Sequence, residues 1–213
     1  MSIEENLKAV RERIAQAGRN PEEVTIVAVT KGFGPEVCRA AFDAGLRILG
    51  ENRVQEAVAK MDAVQGPEWH LVGHLQTNKA KAAAGRFALI QSVDSRHLAD
   101  ALARVNVEQK VLVEVNVARE PRKTGVDPAG AQELLDAVAE MLDLQGLMAM
   151  GPAEGDPRPA FDEVRTIRDE AQQRLGKPLP ILSMGMSGDF EVAVKAGSTM
   201  VRLGTVLFGP RPR

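Results

Sequence analysis

The sequence predicts a single-domain (β/α)8 TIM barrel, and three observations support this fold class. Eight short apolar segments alternate with helical patterns along the 213 residues. Several of these segments, such as 111–116 and 144–150, are apolar on both faces, as parallel strands covered on both sides are. The chain length also suits the lower end of the size range for this barrel. An open, doubly wound sheet is the structural alternative.

The first predicted element is a helix over 2–17. Ser2 and Glu5 have the spacing of a capping box, in which each side chain accepts a free amide hydrogen at the helix start. Apolar residues recur at helical spacing from Ile3 to Ile14 and form one stripe. A glycine and a proline follow and end the helix.

The remaining elements alternate along one continuous domain, 1–213, because no composition shift or long linker interrupts the chain. Strands are predicted near 25–31, 47–51, 69–73, 88–93, 110–116, 144–150, 180–184 and 200–203. Helices are predicted near 35–44, 53–64, 77–84, 95–105, 128–141, 158–175 and 188–196. The last segment, 205–213, is too short and proline-rich for a covering helix. The N-terminal helix is expected to complete the helical ring, since first and last strands are neighbours in a closed barrel.

Composition excludes several classes of protein. The formal net charge of -2 argues against a protein that mainly holds nucleic acid. No apolar run approaches the roughly 18 residues that span a membrane. The single cysteine, Cys38, can form neither an internal disulfide nor a metal site. We therefore expect a cytoplasmic protein without nucleic-acid, membrane or metal binding.

A lysine lies at the exit of the first strand, and an arginine with a glycine lies at the exit of the last. Lys31 follows the apolar run 25–30, while Arg202, Gly204 and Thr205 end the eighth strand. Chemistry in parallel barrels takes place at these carboxyl ends. A partly desolvated lysine amine can condense with an aldehyde. The alternative is a surface lysine whose amine extends into water.

The loops after strands seven and eight have the composition of a phosphate site. Glycines in 183–189 and 202–205 let backbone amides approach an anion, and Ser187 and Thr205 add hydroxyl donors. Ser187 can instead be a simple N-cap of the next helix. An aldehyde-reactive lysine beside a phosphate site suggests pyridoxal 5'-phosphate. Arg202 can only donate hydrogen bonds, so beside the pyridine nitrogen it would favour racemase-like or non-catalytic roles. A salt bridge to a phosphate or carboxylate is its alternative role.

Five segments together are highly specific and carry a family resemblance: Val29–Lys31, Gly50–Glu56, Trp69–Lys79, Leu182–Ser187 and Gly197–Gly209. Over essentially its whole length the chain resembles the pyridoxal phosphate homeostasis protein family. The resemblance implies a barrel similar to the N-terminal domain of bacterial alanine racemase. It also implies that pyridoxal 5'-phosphate is bound as an internal aldimine and that the protein controls vitamin B6 pools.

The resemblance also assigns roles to individual residues. Lys31 matches the Schiff-base lysine, Asn52 an asparagine beside the cofactor, and Arg202 the arginine near the pyridine nitrogen. Ser187, Gly204 and Thr205 match the phosphate-binding segments. Apart from the resemblance, Met184 belongs to a set of methionines in or beside strands that mostly fill the core, and it is the one expected to flank the cofactor ring. Lys123 matches a further lysine that exchanges or receives the cofactor, although its basic segment also reads as a solvated loop. His70 and Lys79 lie in a family motif without an assigned role.

Three functions fit these residues. The first is a non-catalytic carrier that buffers or delivers pyridoxal phosphate through transient contacts with apo-enzymes. The second is an amino-acid racemase, which needs acid/base groups on both faces of the α-carbon. Related racemases take one of these from a tyrosine of a second domain, and this sequence has no tyrosine. A histidine is the remaining substitute. The third is a class I aldolase, which the strand-one position of Lys31 disfavours. We expect a monomeric carrier without catalytic residues.

Overall fold

Eight parallel strands close into a barrel in the computed structural model, which describes residues 2–120 and 123–210. The strands are β1 Thr25–Val29, β2 Ile48–Glu51, β3 Glu68–Leu71, β4 Leu89–Val93, β5 Lys110–Val115, β6 Asp143–Ala149, β7 Ile181–Ser183 and β8 Met200–Leu203. Each strand pairs with the next, and β8 pairs with β1 in the register that places Arg202 beside Val27. The predicted barrel is therefore confirmed, and the open-sheet alternative is excluded.

The first eight helices surround the barrel in the predicted order, and a ninth of four residues lies in the segment after β8, for which no covering helix is predicted. They are α1 Ile3–Gln16, α2 Pro35–Asp43, α3 Val54–Ala63, α4 Ala80–Ala83, α5 Arg96–Ala103, α6 Ala131–Met141, α7 Arg158–Leu175, α8 Phe190–Lys195 and α9 Thr205–Phe208. The predicted helix over 77–84 is a 3-10 turn followed by one α-helical turn. None of the helices within 2–120 and 123–210 combines the length and the apolar character needed to cross a membrane.

The N-terminal helix α1 occupies the place left after β8, as predicted. Its capping box is present, and Leu7, Val10 and Ile14 are buried. The side-chain amide of Asn6 donates to the carbonyl oxygen of Leu207 in α9 at 2.8 Å. Since α9 is only four residues long, α1 is the helix that covers this side of the barrel.

The main apolar core lies between the strands and the helices, and a second, smaller cluster fills the barrel interior. The interior cluster consists of Val27, Leu89, Leu112, Met148 and Met200. Such inward layers make a TIM barrel a packed core rather than a pore. The cluster reaches the cavity, since Val27 lies beside Arg202 in the strand register and Val72 and Met150, which line the cavity, pack against it.

A chain of buried polar side chains lies beside this apolar layer. The side-chain amide nitrogen of Gln91 lies 3.0 Å from Nδ1 of His70, and the Ser183 hydroxyl donates to the Gln91 carbonyl oxygen at 2.6 Å. Because the Gln91 amide donates, Nδ1 of His70 accepts and its proton lies on Nε2. Burial lowers the pKa of His70 to about 4, so the imidazole is neutral at neutral pH.

The buried imidazole predicts a specific loss of stability in acid. In the unfolded chain His70 becomes protonated below its ordinary pKa of 6.5. In the folded chain it stays neutral until the pH approaches its lowered pKa of about 4. Stability therefore falls as the pH drops through this window. Between about pH 7 and about pH 4.5 the wild type should lose about 2 to 3 kcal/mol more unfolding free energy than His70→Gln, which does not titrate. Urea unfolding of both proteins at each pH measures this difference, and equal losses would contradict it.

Candidate binding site at the barrel mouth

A cavity of about 320 Å³ opens at the carboxyl ends of the strands. Its volume is at the lower end of the range for small-molecule sites. The lining residues come from the exits of β1, β2, β3, β6, β7 and β8 and are Val29, Lys31, Phe33, Asn52, Val72, Met150, Met186, Ser187, Gly188, Arg202, Gly204, Thr205 and Gly209. Of the predicted site residues, the structure brings Lys31, Asn52, Ser187, Arg202, Gly204 and Thr205 to this cavity.

Lys31 is carried by a tight turn that follows β1. The backbone N–H of Phe33 donates to the carbonyl oxygen of Thr30 at 3.1 Å and closes the turn. Gly32 has a φ of +77°, which the third position of a type II turn requires and which glycine adopts without a steric cost. The turn therefore ends the strand abruptly and leaves Lys31 at the barrel mouth.

A buried ion cluster braces this turn from the helix side of the barrel wall. The Lys60 ammonium donates to Glu51 Oε1 at 2.7 Å, to Glu56 Oε1 at 2.8 Å and to the Thr30 carbonyl oxygen at 2.9 Å. The Thr30 hydroxyl also donates to Glu51 Oε1, at 2.6 Å. Burial lowers the pKa of Lys60, but the hydrogen bonds and negative charges of Glu51 and Glu56 outweigh burial and hold this pKa above its ordinary value. Lys60 is therefore an ammonium cation held inside the protein.

Lys60 is not among the site residues predicted from the sequence, although the sequence carries a signal for it. Val54, Ala57 and Lys60 are the buried residues of α3 and recur at helical spacing, so the lysine occupies a position where an apolar residue is expected. Glu56 stands four residues before Lys60, the spacing of a helical ion pair. A lysine on a buried stripe with a carboxylate at this distance identifies an internal salt bridge.

Arg202 extends into the barrel interior beneath the cavity. Its guanidinium donates to the carbonyl oxygen and the hydroxyl of Ser183, both at 2.7 Å, and to the carbonyl oxygen of Ala149 at 2.9 Å. Burial lowers the pKa of Arg202 to about 10, which leaves the group cationic at neutral pH. Within residues 2–120 and 123–210 no carboxylate lies within ion-pair distance of the guanidinium, although the charges of Glu114 and Asp189 oppose the fall of its pKa.

Ser187 connects the loop after β7 to the start of α9. Its hydroxyl oxygen accepts from the backbone N–H of Val206 at 3.2 Å and from that of Gly204 at 3.4 Å. The N-cap of the following helix α8 is Asp189 rather than Ser187. The simple-cap alternative for that helix is thus wrong, and Ser187 lies with Gly204 and Thr205 on one wall of the cavity.

Met184 was expected beside the cofactor ring, but the structure buries it completely in the outer core. Side chains alternate along a strand, and Ser183 points inward to Arg202, so Met184 points outward to the helices. The chain then turns at Gly185, which has a φ of +93°. Met186, which is 40% exposed, lines the cavity instead.

Lys123 lies outside the cavity lining. Its ammonium donates to Glu120 Oε1 at 2.8 Å and to the carbonyl oxygen of Gly151 at 3.0 Å. The neighbouring Pro121 and Arg122 of the predicted basic segment lie outside the described residues. In the part of the chain that is described, no three His, Cys, Asp or Glu side chains form a group that could hold a metal ion.

Known proteins match both the sequence and the fold. The family model of the alanine racemase N-terminal domain matches residues 2–212. PipY of Synechococcus elongatus PCC7942, solved with PLP bound, is 36% identical with a TM-score of 0.85, and the match covers 98% of this chain and 100% of that one. Alanine racemase of Clostridium difficile 630 shares the fold, with a TM-score of 0.77 at 16% identity over 98% of this chain and 57% of that enzyme.

These matches place the protein in the class of alanine racemase N-terminal-domain barrels. Pyridoxal phosphate homeostasis protein of Aquifex aeolicus is 42% identical to it, and the alignment covers 99% of each chain. The chain therefore belongs to the pyridoxal phosphate homeostasis protein family.

The close packing of Gly73 against Asn52, which lines the cavity, predicts that position 73 requires a glycine. A Cβ added at Gly73 would lie 2.5 Å from the carbonyl oxygen and 2.7 Å from the Cα of Asn52. Gly73→Ala should therefore displace the Asn52 backbone and lower the unfolding free energy by about 1 to 3 kcal/mol. Thermal or urea unfolding measures the loss.

Gly188→Ala is the matched control, because no atom lies within 4 Å of a Cβ added at Gly188. Its stability should stay within about 0.5 kcal/mol of the wild type. Equal stability of the two variants would contradict the close approach of Gly73 to Asn52.

Proposed function

We propose that the protein binds pyridoxal 5'-phosphate in the barrel-mouth cavity and serves the intracellular homeostasis of this cofactor. The observation that supports this most directly is the shared cavity of Lys31, Arg202 and the wall formed by Ser187, Gly204 and Thr205. The relative from Aquifex aeolicus carries the name of a pyridoxal phosphate homeostasis protein, and PipY holds PLP in its solved structure.

The donor set of the cavity fits the chemical groups of this cofactor. When bound, pyridoxal phosphate supplies an electrophilic aldehyde that a lysine amine can attack with loss of water. Lys31 is the lysine that lines the cavity. The hydroxyls of Ser187 and Thr205 provide donors for a phosphate group, and Gly204, which has no side chain, lets that group approach the backbone. Asn52 adds a neutral amide on the β2 side of the same cavity.

Arg202 suits the pyridine nitrogen of the ring. A guanidinium has only hydrogen-bond donors, so it leaves the ring nitrogen as an acceptor and unprotonated. An unprotonated ring withdraws electrons weakly, which disfavours reactions that need a strong electron sink. The bonds of Arg202 to Ser183 and Ala149 hold the cation in place before any ligand arrives.

The acid/base groups near the cavity favour a non-catalytic carrier over a racemase. Of the described cavity-lining residues, Lys31 and Arg202 are the ones with titratable side chains, and Arg202 stays protonated. None of the three histidines is among the described lining residues. His70 is neutral and bonded to Gln91, His74 pairs with Asp94 at 3.1 Å, and His97 lies on α5. A second-face acid of the kind a racemase needs has no described candidate in the cavity lining.

The setting of this function is part of the proposal. We propose a monomer of one domain, 1–213, that acts in the cytoplasm and delivers the cofactor through transient contacts with apo-enzymes. The exposed side chain of Met186 supports an open route between the cavity and a partner.

Borohydride reduction of the protein with pyridoxal phosphate, followed by peptide mass mapping, tests the binding site. A phosphopyridoxyl group should appear on Lys31, and Lys31→Ala should lose it entirely, because that variant lacks the amine that lines the cavity. Arg202→Ala should keep the covalent link but change its absorbance spectrum and lower the affinity.

Lys123→Ala is the control for the choice of lysine, since Lys123 lies outside the cavity lining. Its labelling at Lys31 should match that of the wild type. A stable adduct on Lys123 in the Lys31→Ala protein would show that the binding lysine is Lys123 rather than Lys31. If no lysine of the wild-type protein carries an adduct, the proposed function is rejected.

The carrier proposal predicts no racemisation. The loaded protein, incubated with L-alanine and other L-amino acids, should leave their chirality unchanged, because the described lining lacks a second acid/base group. Chiral chromatography of the amino acids measures this. Turnover that is lost in Lys31→Ala would establish the racemase instead.

A further inference from the structure

The turn that carries Lys31 is held by a cluster of four residues, here called the exit-turn cluster: Thr30, Glu51, Glu56 and Lys60. Glu51 is fully buried and the Lys60 side chain is 6% exposed. The Lys60 ammonium contacts each of the other three members at 2.7 to 2.9 Å. A buried cation is thus directed at the point where β1 ends.

The exit-turn cluster binds both peptide groups that flank Lys31. The carbonyl oxygen of Thr30, which belongs to the preceding peptide, accepts from Lys60 Nζ at 2.9 Å. The backbone N–H of Gly32, which belongs to the following peptide, donates to Glu56 Oε1 at 2.9 Å. The same Glu56 oxygen accepts from Lys60 at 2.8 Å. Rotation about either backbone bond of Lys31 would break one of these contacts.

A stabilising role alone does not account well for this arrangement. Removing charges from water costs free energy, and apolar side chains of similar volume are often as stable as a buried ion pair. What apolar side chains cannot supply is the directional bond from Nζ to the Thr30 carbonyl or the acceptor for Gly32. The cluster therefore provides orientation that simple packing would not.

We propose that Lys60 is a positioning residue for Lys31, fixing the two flanking peptide groups so that the amine is presented to the aldehyde of pyridoxal phosphate. The inference rests on the proposed function. Lys60 itself does not line the cavity, so it acts on the condensation only through the turn. Reactions of this kind depend steeply on geometry, and a displacement of about 1 Å can cost about 100-fold in rate.

The test separates condensation from non-covalent binding. The rate of condensation is followed by absorbance after mixing with pyridoxal phosphate and confirmed by borohydride trapping on Lys31. Non-covalent affinity is measured with 4'-deoxypyridoxine 5'-phosphate, which keeps the ring and phosphate but has no aldehyde. Lys60→Met should condense at least about 10-fold more slowly. Its Kd for the analogue should stay within about twofold of the wild type, because the phosphate wall and Arg202 are untouched.

Gln109→Leu is the matched control for a general loss of stability. Gln109 is 2% exposed and accepts from Gly85 N–H at 2.9 Å while donating to Phe87 at 3.1 Å, just before β5 at the opposite end of the barrel. Gln109→Leu should condense with pyridoxal phosphate at the wild-type rate, even if its melting temperature is lowered as much as that of Lys60→Met.

Glu56→Ala provides a second variant should Lys60→Met not fold. The Glu56 side chain is 31% exposed, so its loss is tolerated better, and Lys60 keeps its bond to Glu51. Removing the acceptor for Gly32 should again slow condensation and spare analogue binding.

The outcomes separate the two proposals. Slow condensation with intact analogue binding supports the positioning role. Wild-type condensation rates in Lys60→Met, or in Glu56→Ala, overturn it, as does an equal loss of condensation and analogue affinity. A wild-type protein that neither binds the analogue nor forms the adduct would instead reject the proposed function, and the inference with it.

Discussion

The pairing of β8 with β1 is the constraint on which the site depends. In this register Arg202 lies beside Val27 and Leu203 beside Ala28, so the exits of the first and last strands are neighbours. A Cβ at Gly204 would lie 3.4 Å from the carbonyl oxygen of Val29, which shows how closely the two exits approach. Closure thereby brings an amine from one end of the chain to the hydroxyls and glycines of the other.

Two buried cations hold the strand ends on either side of the barrel wall. Lys60 reaches the Thr30 carbonyl from the helix side, and Arg202 reaches the carbonyls of Ser183 and Ala149 from the inside. Carbonyl oxygens at strand exits have no further strand partner, so a cation can satisfy them without breaking the sheet. Both cations remain charged at neutral pH, one because carboxylates balance it and the other because its pKa falls only to about 10. Their shared effect is a rigid floor and rim for the cavity.

Residues can be placed from the sequence wherever the periodicity of their segment locates a strand end. Lys31, Arg202 and Thr205 could be placed at the barrel mouth, because apolar runs locate strand ends and a barrel gathers those ends. Met184 could not be placed from the sequence, because a shift of one residue along the strand decides whether its side chain faces the core or the cavity. The chain also changes direction directly afterwards, at Gly185. Lys60 was missed because its partners, Glu51 and the Thr30 carbonyl, come from two other elements that pattern alone does not bring together.

The sequence by itself determined the order of elements, the barrel class, the lysine at the first strand exit and the family. These features follow from local periodicity and from motifs that can be recognised without knowing which residues are in contact. Only the tertiary structure decided that Met186 rather than Met184 meets the cavity, that Ser187 joins α9 and that a buried ammonium braces Lys31. The physical reason is that these features depend on side-chain direction and on contacts between distant segments, which exist only once the barrel has closed.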